Sequence, residues 1–451
     1  TITGFTPGVT RPSTAVTVLL NGTDLAGATA VTLGGVPLDF TATGPGQLRV
    51  SVPSSGVSTG TISVTTAGGA ATSATAFMIS ADPTQVAAGL SHSCARLSDG
   101  TAKCWGLNTN GQLGDGTTTK RTSPVTVSGL SGVSAVSTGA AFSCAVINAG
   151  ASGTVKCWGL NTNGQLGDGT TTQRTTPVPV SGLTGVTAVT TGDAFACALL
   201  SGGGVRCWGA NTSGQLGDGT TTQRTTPVPV SGLTGVASID AGGSTACARL
   251  TSGAVRCWGQ NTNGQLGNGT SGTAAVTTPV AVSGIDGVTA KAATISVGSG
   301  FACAAMLNGS VRCWGLNSSG QLGDGTLVQR TTPVTVQTAP ATALAEVTAI
   351  SAGKSHVCAI LGSGDTSTVR CWGLGSGGQL GTGATTSSSY AIATSTVVHA
   401  SMIAAGGTHT LVVVPSASLG HVAVAWGTNS SGQLGDGTTT KRTSPVVLPS
   451  L

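Results

Sequence analysis

The twelve cysteines are the residues of this chain best placed to do chemistry, and their spacing says which kind. They form six local pairs: Cys94 with Cys104, Cys144 with Cys157, Cys197 with Cys207, Cys247 with Cys257, Cys303 with Cys313 and Cys358 with Cys371. In the first pair the intervening segment reads as a hairpin turning at Ser98-Asp99-Gly100, which sets both cysteines equally far from Asp99. Residues facing each other across an antiparallel pair stand roughly 4.5 to 5.5 Å apart at Cα, within disulfide reach. Four pairs span 10 residues and two span 13, the longer ones adding three residues at the hairpin tip without changing the facing register. Free thiols in a cytosolic protein are the bland alternative. Zinc is disfavoured, because no second pair or histidine stands at ligand spacing. Six disulfides imply an oxidising compartment, so the expected localisation is extracellular or cell surface.

The remaining candidates for chemistry weigh less. The loop Asn108-Thr109-Asn110-Gly111-Gln112-Leu113-Gly114-Asp115-Gly116 has a superficial likeness to a calcium loop. Calcium needs several carboxylates or carbonyls in one shell, and the single Asp is replaced by Asn268 and Thr382 in two copies of the loop. Of five histidines, His92, His356 and His409 hold one repeated position, where packing is the expected role; His399 and His421 lie elsewhere. No Gly-x-Ser-x-Gly, Walker loop or His-Glu-x-x-His occurs, and Asp and Glu together number 14. The chain reads as a non-enzyme with no cofactor and no metal. Glycan attachment is possible at the Asn-x-Ser/Thr sequons of Asn21, Asn211, Asn268, Asn308, Asn317 and Asn429.

The elements that position the cysteines are repeats. All seven tryptophans, Trp105, Trp158, Trp208, Trp258, Trp314, Trp372 and Trp426, precede a glycine and are spaced by 53, 50, 50, 56, 58 and 54 residues. Each is followed by Gly-Gln-Leu-Gly, from Gly111–Gly114 in the first copy to Gly432–Gly435 in the last. A glycine also stands three residues before His92, Phe142, Phe195, Thr245, Phe301, His356 and His409. A period near 50 with several short strands marks a propeller or solenoid. The third repeat reads as strands at Ala188–Thr190, Phe195–Leu200, Gly204–Trp208 and, after Pro227, Val228–Val230.

Composition agrees with an all-β protein. Charged residues are 7 %, against about 25 % in ordinary soluble domains, while Val and Leu alternate with Thr and Ser and Gly punctuates them. The net charge of +5 is mild and scattered, so nucleic acid is not an expected partner. No apolar run of membrane-spanning length occurs. A chain opening at Thr1 in strand-like sequence reads as a processed N-terminus. Residues 1–82 carry no Cys, Trp or repeat; six or seven short strands there suggest a β-sandwich.

Two resemblances follow. Pro7-Gly8, Leu20-Asn21-Gly22, Val31-Thr32-Leu33-Gly34-Gly35-Val36-Pro37, Val52-Pro53 and Gly60-Thr61-Ile62-Ser63-Val64 resemble the IPT/TIG family of immunoglobulin-like domains, which implies a spacer or adhesion domain over residues 1–82. The set Gly-x-x-His, hairpin, Trp-Gly-x-Asn, Gly-Gln-Leu-Gly and Pro-x-x-Val resembles the regulator of chromosome condensation repeat family, which implies a seven-bladed β-propeller of four-stranded blades over residues 83–451. The cysteine pairs depart from what nuclear or cytosolic members would keep oxidised.

The leading expectation is a secreted or cell-surface structural or adhesive protein, a candidate subunit of an extracellular filament or other assembly, whose partners are proteins, through self-association or on a surface. The alternative is a soluble protein-binding propeller such as a secreted enzyme inhibitor. The resemblance also brings guanine-nucleotide exchange on Ran, the activity of the family's namesake, against which the cysteines and the lack of a basic tail speak. A light sensor of the plant ultraviolet-B type would need extra clustered tryptophans.

Overall fold

The computed structural model describes residues 1–6, 9–10, 15–53, 57, 60–79, 81–416, 420–448 and 451. The Pro7-Gly8 motif lies outside them. The chain forms two compact units: Thr1–Asp82 with Pro415–Val422 and Leu451, and Pro83–Val414 with Ala423–Ser450.

In the first unit a four-stranded sheet runs in the order Ile2–Thr6, Val16–Gly22, Gln47–Val52, Asp39–Gly44. A five-stranded sheet runs Val9–Thr10, Gly69–Ile79, Gly60–Thr66, Ala28–Leu33, Val36–Pro37. Alternate residues of both sheets, among them Val18, Leu20, Val31, Leu33, Leu48, Val50, Ile62 and Val64, fill one core, as a period of two demands. Leu33 pairs with Val36 across Gly34-Gly35, which take φ of 57° and 89°. Both signs are positive, as a two-residue type I′ hairpin requires, and glycine adopts them without a Cβ clash. The unit has more strands than the six or seven expected, because Val9–Thr10 and Val36–Pro37 are two residues long and leave no alternation to read. The strand at Val16 also runs through Asn21-Gly22 rather than turning there, since Asn21 pairs with both Gly4 and Gln47.

Among the described residues the second unit holds seven four-stranded sheets, each a meander of consecutive strands. The third is Val186–Thr191, Phe195–Leu200, Val205–Gly209 and Arg224–Pro229. Its fourth strand begins before Pro227, not after it. This strand is the sheet's outer edge, and an edge tolerates a residue without an N–H. The first strands of successive sheets pack side by side, and Met402–Ala405 of the last packs back on Pro83–Ala88 of the first. The longer repeats are explained locally: the outer strand extends over Gly272–Ala281 in the fourth, and a small hairpin, Gln337–Ala339 with Thr342–Ala343, is inserted after the fifth. No helix long and apolar enough to cross a membrane occurs among the described residues; the one helical element there is a 3-10 turn at Gly364–Thr366.

Candidate functional site

The tryptophans sit at the seams between sheets. Every one is fully buried. Each indole N–H donates to the glutamine carbonyl in the preceding repeat's Gly-Gln-Leu-Gly: Trp158 to Gln112 at 2.9 Å, Trp208 to Gln165 at 2.9 Å, Trp258 to Gln215 at 3.0 Å, Trp314 to Gln265 at 2.9 Å, Trp372 to Gln321 at 3.0 Å and Trp426 to Gln379 at 2.8 Å. Trp105 of the first repeat donates to Gln433 of the last at 2.9 Å, so the same contact joins the two ends. The second glycine of the motif lies flat on the ring. A Cβ on Gly217 would stand 2.8 Å from Trp258 Nε1, at a backbone φ of +68°.

The calcium-like loop spends its acceptors internally. Asn108 Oδ1 accepts from Leu113 N at 3.0 Å, Gln112 Oε1 from Asn110 N at 2.9 Å, and Asp115 Oδ1 from Thr117 N at 3.0 Å and Thr117 Oγ1 at 2.8 Å. Asp115 Oδ2 accepts two bonds from Arg121, at 2.9 and 2.8 Å. Burial alone would raise the Asp115 carboxyl, but the bonds from Thr117, Arg121 and Asn108 hold it below the ordinary carboxylate range. The Arg–Asp pair recurs at Arg174–Asp168, Arg224–Asp218, Arg330–Asp324 and Arg442–Asp436.

All six cysteine pairs are bonded as spaced, in buried facing positions of the second and third strands. The seventh sheet has Leu411 and Ala425 there, both buried. The glycan expectation needs correction: Asn211, Asn317 and Asn429 are fully buried. Their amides cap the seam loop, Asn211 Nδ2 donating to Thr220 O at 3.1 Å and Thr222 O at 3.0 Å. Asn308 is exposed, and Asn21 and Asn268 partly so.

The three repeated histidines are buried, and each bridges to the next sheet. His92 Nε2 meets Ser143 Oγ at 2.9 Å, His356 Nε2 meets Thr410 Oγ1 at 3.0 Å, and His409 Nε2 meets Ser93 Oγ at 2.8 Å. Each hydroxyl donates its own proton to a glutamine carbonyl: Ser143 to Gln112, Thr410 to Gln379 and Ser93 to Gln433. The histidine must therefore be the donor, which fixes the neutral Nε2–H tautomer. Nδ1 is left buried without a hydrogen-bond partner, packed against the glycine three residues upstream. Burial, together with the His409 charge, lowers His92 and His356 to about 3, and burial lowers His409 to about 4. Phe142, Phe195 and Phe301 hold the same position and face Ala196, Ala246 and Val357 instead. His399 has a φ of 59° near a strand end, and exposed His421 lies 3.8 Å from Asp82.

The first strands of the seven sheets enclose a polar channel with a cavity of about 310 Å³. Side chains on its wall stitch neighbouring sheets: Val297 N donates to Asp240 Oδ2 at 2.7 Å, Ala352 N to Ser296 Oγ at 2.9 Å and Ala405 N to Ser351 Oγ at 2.9 Å. Withdrawal from bulk water pushes the Asp240 carboxyl up to about 6, against the pull of its hydrogen bonds. One end of the channel opens through a shallow mouth of about 120 Å³. Its rim takes the residue after each repeated glycine: Leu90, Ala140, Asp193, Gly243, Ser299, Lys354 and Gly407. Asp193 and Lys354 are the two charges in this ring. The walls displace enough water to raise the Asp193 carboxyl, and the Lys354 ammonium opposes that rise. Sequence reasoning missed Asp193, Asp240 and Lys354. The available signal was their repeat position, where the other repeats carry uncharged residues.

A disulfide-pinned ring of four-stranded sheets around a channel defines a β-propeller held by seam tryptophans. The family model for the Regulator of chromosome condensation (RCC1) repeat matches residues 99–146, 152–199, 202–249, 252–305 and 308–360. A second model of that repeat matches residues 84–112, 186–215, 236–265, 292–321 and 347–379. The first set covers more than half of the chain, which belongs to this family. Over 103 residues, 22 % of this chain and 23 % of the relative, it is 37 % identical to the Ultraviolet-B receptor UVR8 of Arabidopsis thaliana. Over 173 residues, 38 % of this chain and 15 % of the relative, it is 32 % identical to the Probable E3 ubiquitin-protein ligase HERC3 of Homo sapiens. The matched stretch thus spans less than a quarter of either relative. Human WBSCR16 superposes with a TM-score of 0.64 at 23 % identity, covering 76 % of this chain and 89 % of that one. Prp20p of Saccharomyces cerevisiae, described with its binding properties to Gsp1p and histones, gives 0.60 at 20 % identity, covering 72 % and 80 %. These likenesses show the fold.

Proposed function

We propose that this protein is an extracellular, protein-binding propeller: a closed seven-bladed ring preceded by an IPT/TIG-like immunoglobulin-fold domain over residues 1–82, serving as a structural or adhesive module of a surface assembly. The observation that carries the reading is the set of six buried disulfides, one in each of six successive repeats. Such bonds persist in oxidising compartments and are rare in cytosol and nucleus. The protein partner is supported by relatives of this fold that bind proteins, Prp20p among them. The low charge leaves little electrostatic repulsion against association. The channel-mouth rim, where Asp193 and Lys354 stand beside Leu90 and smaller residues, is the propeller surface that residues 1–82 of a second copy would meet head to tail, and it requires no catalysis. Membership of the Regulator of chromosome condensation repeat family favours a second reading, the guanine-nucleotide exchange on a GTPase that the family's namesake performs.

The test is electron microscopy and cross-linking of native material, with a variant lacking residues 1–82 alongside. The expected result is an assembly, or a cross-linked surface protein, that the truncation abolishes. A full-length protein that stays monomeric at high concentration, cross-links to no surface protein and accelerates nucleotide release from a GTPase supports the second reading and overturns the first.

A further inference from the structure

The third strand of six successive sheets carries a basic residue immediately before its cysteine: Lys103, Lys156, Arg206, Arg256, Arg312 and Arg370. The register fixes their neighbours. On one side each pairs with an alanine, as Arg206 does with Ala198, Arg256 with Ala248 and Arg312 with Ala304. On the other side it pairs with Thr, Pro or Ala, as Arg206 does with Pro229 and Arg256 with Ala281. Small neighbours leave room for the long side chains beside the strands, where Arg370 Nη1 donates to Ala391 O at 3.0 Å. Topology sets the end at which they emerge. The glycine closing the third strand pairs with the residue that opens the second at the mouth end, Gly209 with Phe195 for example, so the bases near the start of the third strand lie toward the opposite face. Lys156 Nζ and Arg312 Nη1 reach backbone carbonyls of exposed loops, Gly129 at 3.5 Å and Gly284 at 3.0 Å. Arg256 is exposed.

The arginines that open the fourth strands of five sheets, Arg121, Arg174, Arg224, Arg330 and Arg442, behave differently, because each is neutralised by an aspartate. Among the described residues no carboxylate pairs with Lys156, Arg206, Arg256, Arg312 or Arg370. One such cation per blade is repeated around most of the ring, a one-signed charge pattern complementary to a polyanion laid along this face.

We propose that the propeller face opposite the channel mouth binds a linear acidic glycan through Lys156, Arg206, Arg256, Arg312 and Arg370. A stacking partner for bases is lacking: in this unit the tryptophans and Phe142, Phe195 and Phe301 are buried, and Tyr390 packs on Gly325. Base stacking is a main source of affinity for single-stranded nucleic acid, and aromatic anchors are what protein hot spots use. Charge alone is therefore the recognition on offer, and a carboxylated polysaccharide supplies it. The choice of glycan over DNA rests on the extracellular reading; the charge pattern does not.

The experiment uses the full oxidised chain and labelled polygalacturonate, with neutral dextran and a DNA duplex as comparisons, read by fluorescence anisotropy over a salt series. Wild type is expected to bind polygalacturonate, to ignore dextran and to weaken steeply with salt through counterion release. The triple variant R206Q/R256Q/R312Q is expected to lose at least about tenfold in affinity and to show a shallower salt slope. Arg224→Gln, which removes a cation already paired with Asp218, is expected to bind as wild type does. Polygalacturonate binding that is absent at low salt, or unchanged in the triple variant, overturns the proposal. Tighter binding of DNA than of polygalacturonate at equal salt overturns the assignment to a glycan. If the triple variant fails to fold, Arg256→Glu is read in its place, and unchanged affinity there is equally fatal. Glycan binding can fail while a protein partner is still found, so the two functional readings are tested separately.

Discussion

Lowering the pH tests the histidine seams directly. In the unfolded chain His92, His356 and His409 titrate near 6.5, whereas folded they titrate near 3, 3 and 4. The unfolded state therefore binds more protons, and stability that is complete above pH 6.5 falls as the pH drops toward the folded values. At pH 4 each histidine costs on the order of 3 kcal/mol. Asp240 works in the opposite direction. Its folded value near 6 lies above the ordinary 3.8, so the folded state binds the extra proton between those values and regains roughly 3 kcal/mol. The expected net loss between pH 7 and pH 4 is on the order of 6 kcal/mol, a large share of the stability of an ordinary domain. The seam-loop aspartates Asp115, Asp168, Asp218, Asp324 and Asp436 are held below the carboxylate range, so their contribution is lost only at lower pH. The assay is urea unfolding at pH steps from 7.5 to 4. The double variant H92F/S143A copies the Phe142–Ala196 seam already present in the molecule, and it should remove about 3 kcal/mol of that acid loss, roughly half of it. Unchanged pH dependence in that variant would refute the assignment of the protons to the seam.

Three further outcomes are expected. Trp208→Ala removes a fully buried ring and its bond to Gln165, and should cost roughly 3 to 5 kcal/mol; a neutral melting temperature would contradict the seam role. Gly217→Ala places a methyl on the Trp258 ring at positive φ, combining overpacking with left-handed strain for a loss of about 2 to 4 kcal/mol in chemical denaturation. Asp218→Asn keeps the turn that Asn268 makes with Thr270 in the fourth repeat and gives up the Arg224 bridge. Because that arginine is about a third exposed, the cost in thermal unfolding should stay below about 1 kcal/mol, and Asp218→Ala should cost more.

What could be read from the chain is what recurs in it. Trp-Gly, Gly-Gln-Leu-Gly and the cysteine pairs stand out because each sheet needs the same ring, the same seat and the same hairpin. The channel groups did not stand out, since Asp193, Asp240 and Lys354 depart from the repeat at positions that the other repeats fill with uncharged residues of no fixed type. The seam pairing was legible in hindsight: histidine at one position goes with Ser or Thr just after the same position of the next repeat, and phenylalanine with Ala or Val. Reading it required knowing which residues of adjacent repeats touch. Ring closure was hidden for the same reason. The last strand, Arg442–Val447, stays in its own sheet, and the ends are joined by Trp105 and Ser93 on Gln433 and by His409 on Ser93.

The most direct measurement is peptide mapping of native, unreduced protein by mass spectrometry. The expected map has six bonds, each within one repeat, from Cys94–Cys104 to Cys358–Cys371, each closing a short loop and contributing about 3 kcal/mol by chain entropy. Free thiols throughout native material would contradict the oxidising compartment on which the extracellular reading stands, and bonds between repeats would contradict the hairpin pairing itself.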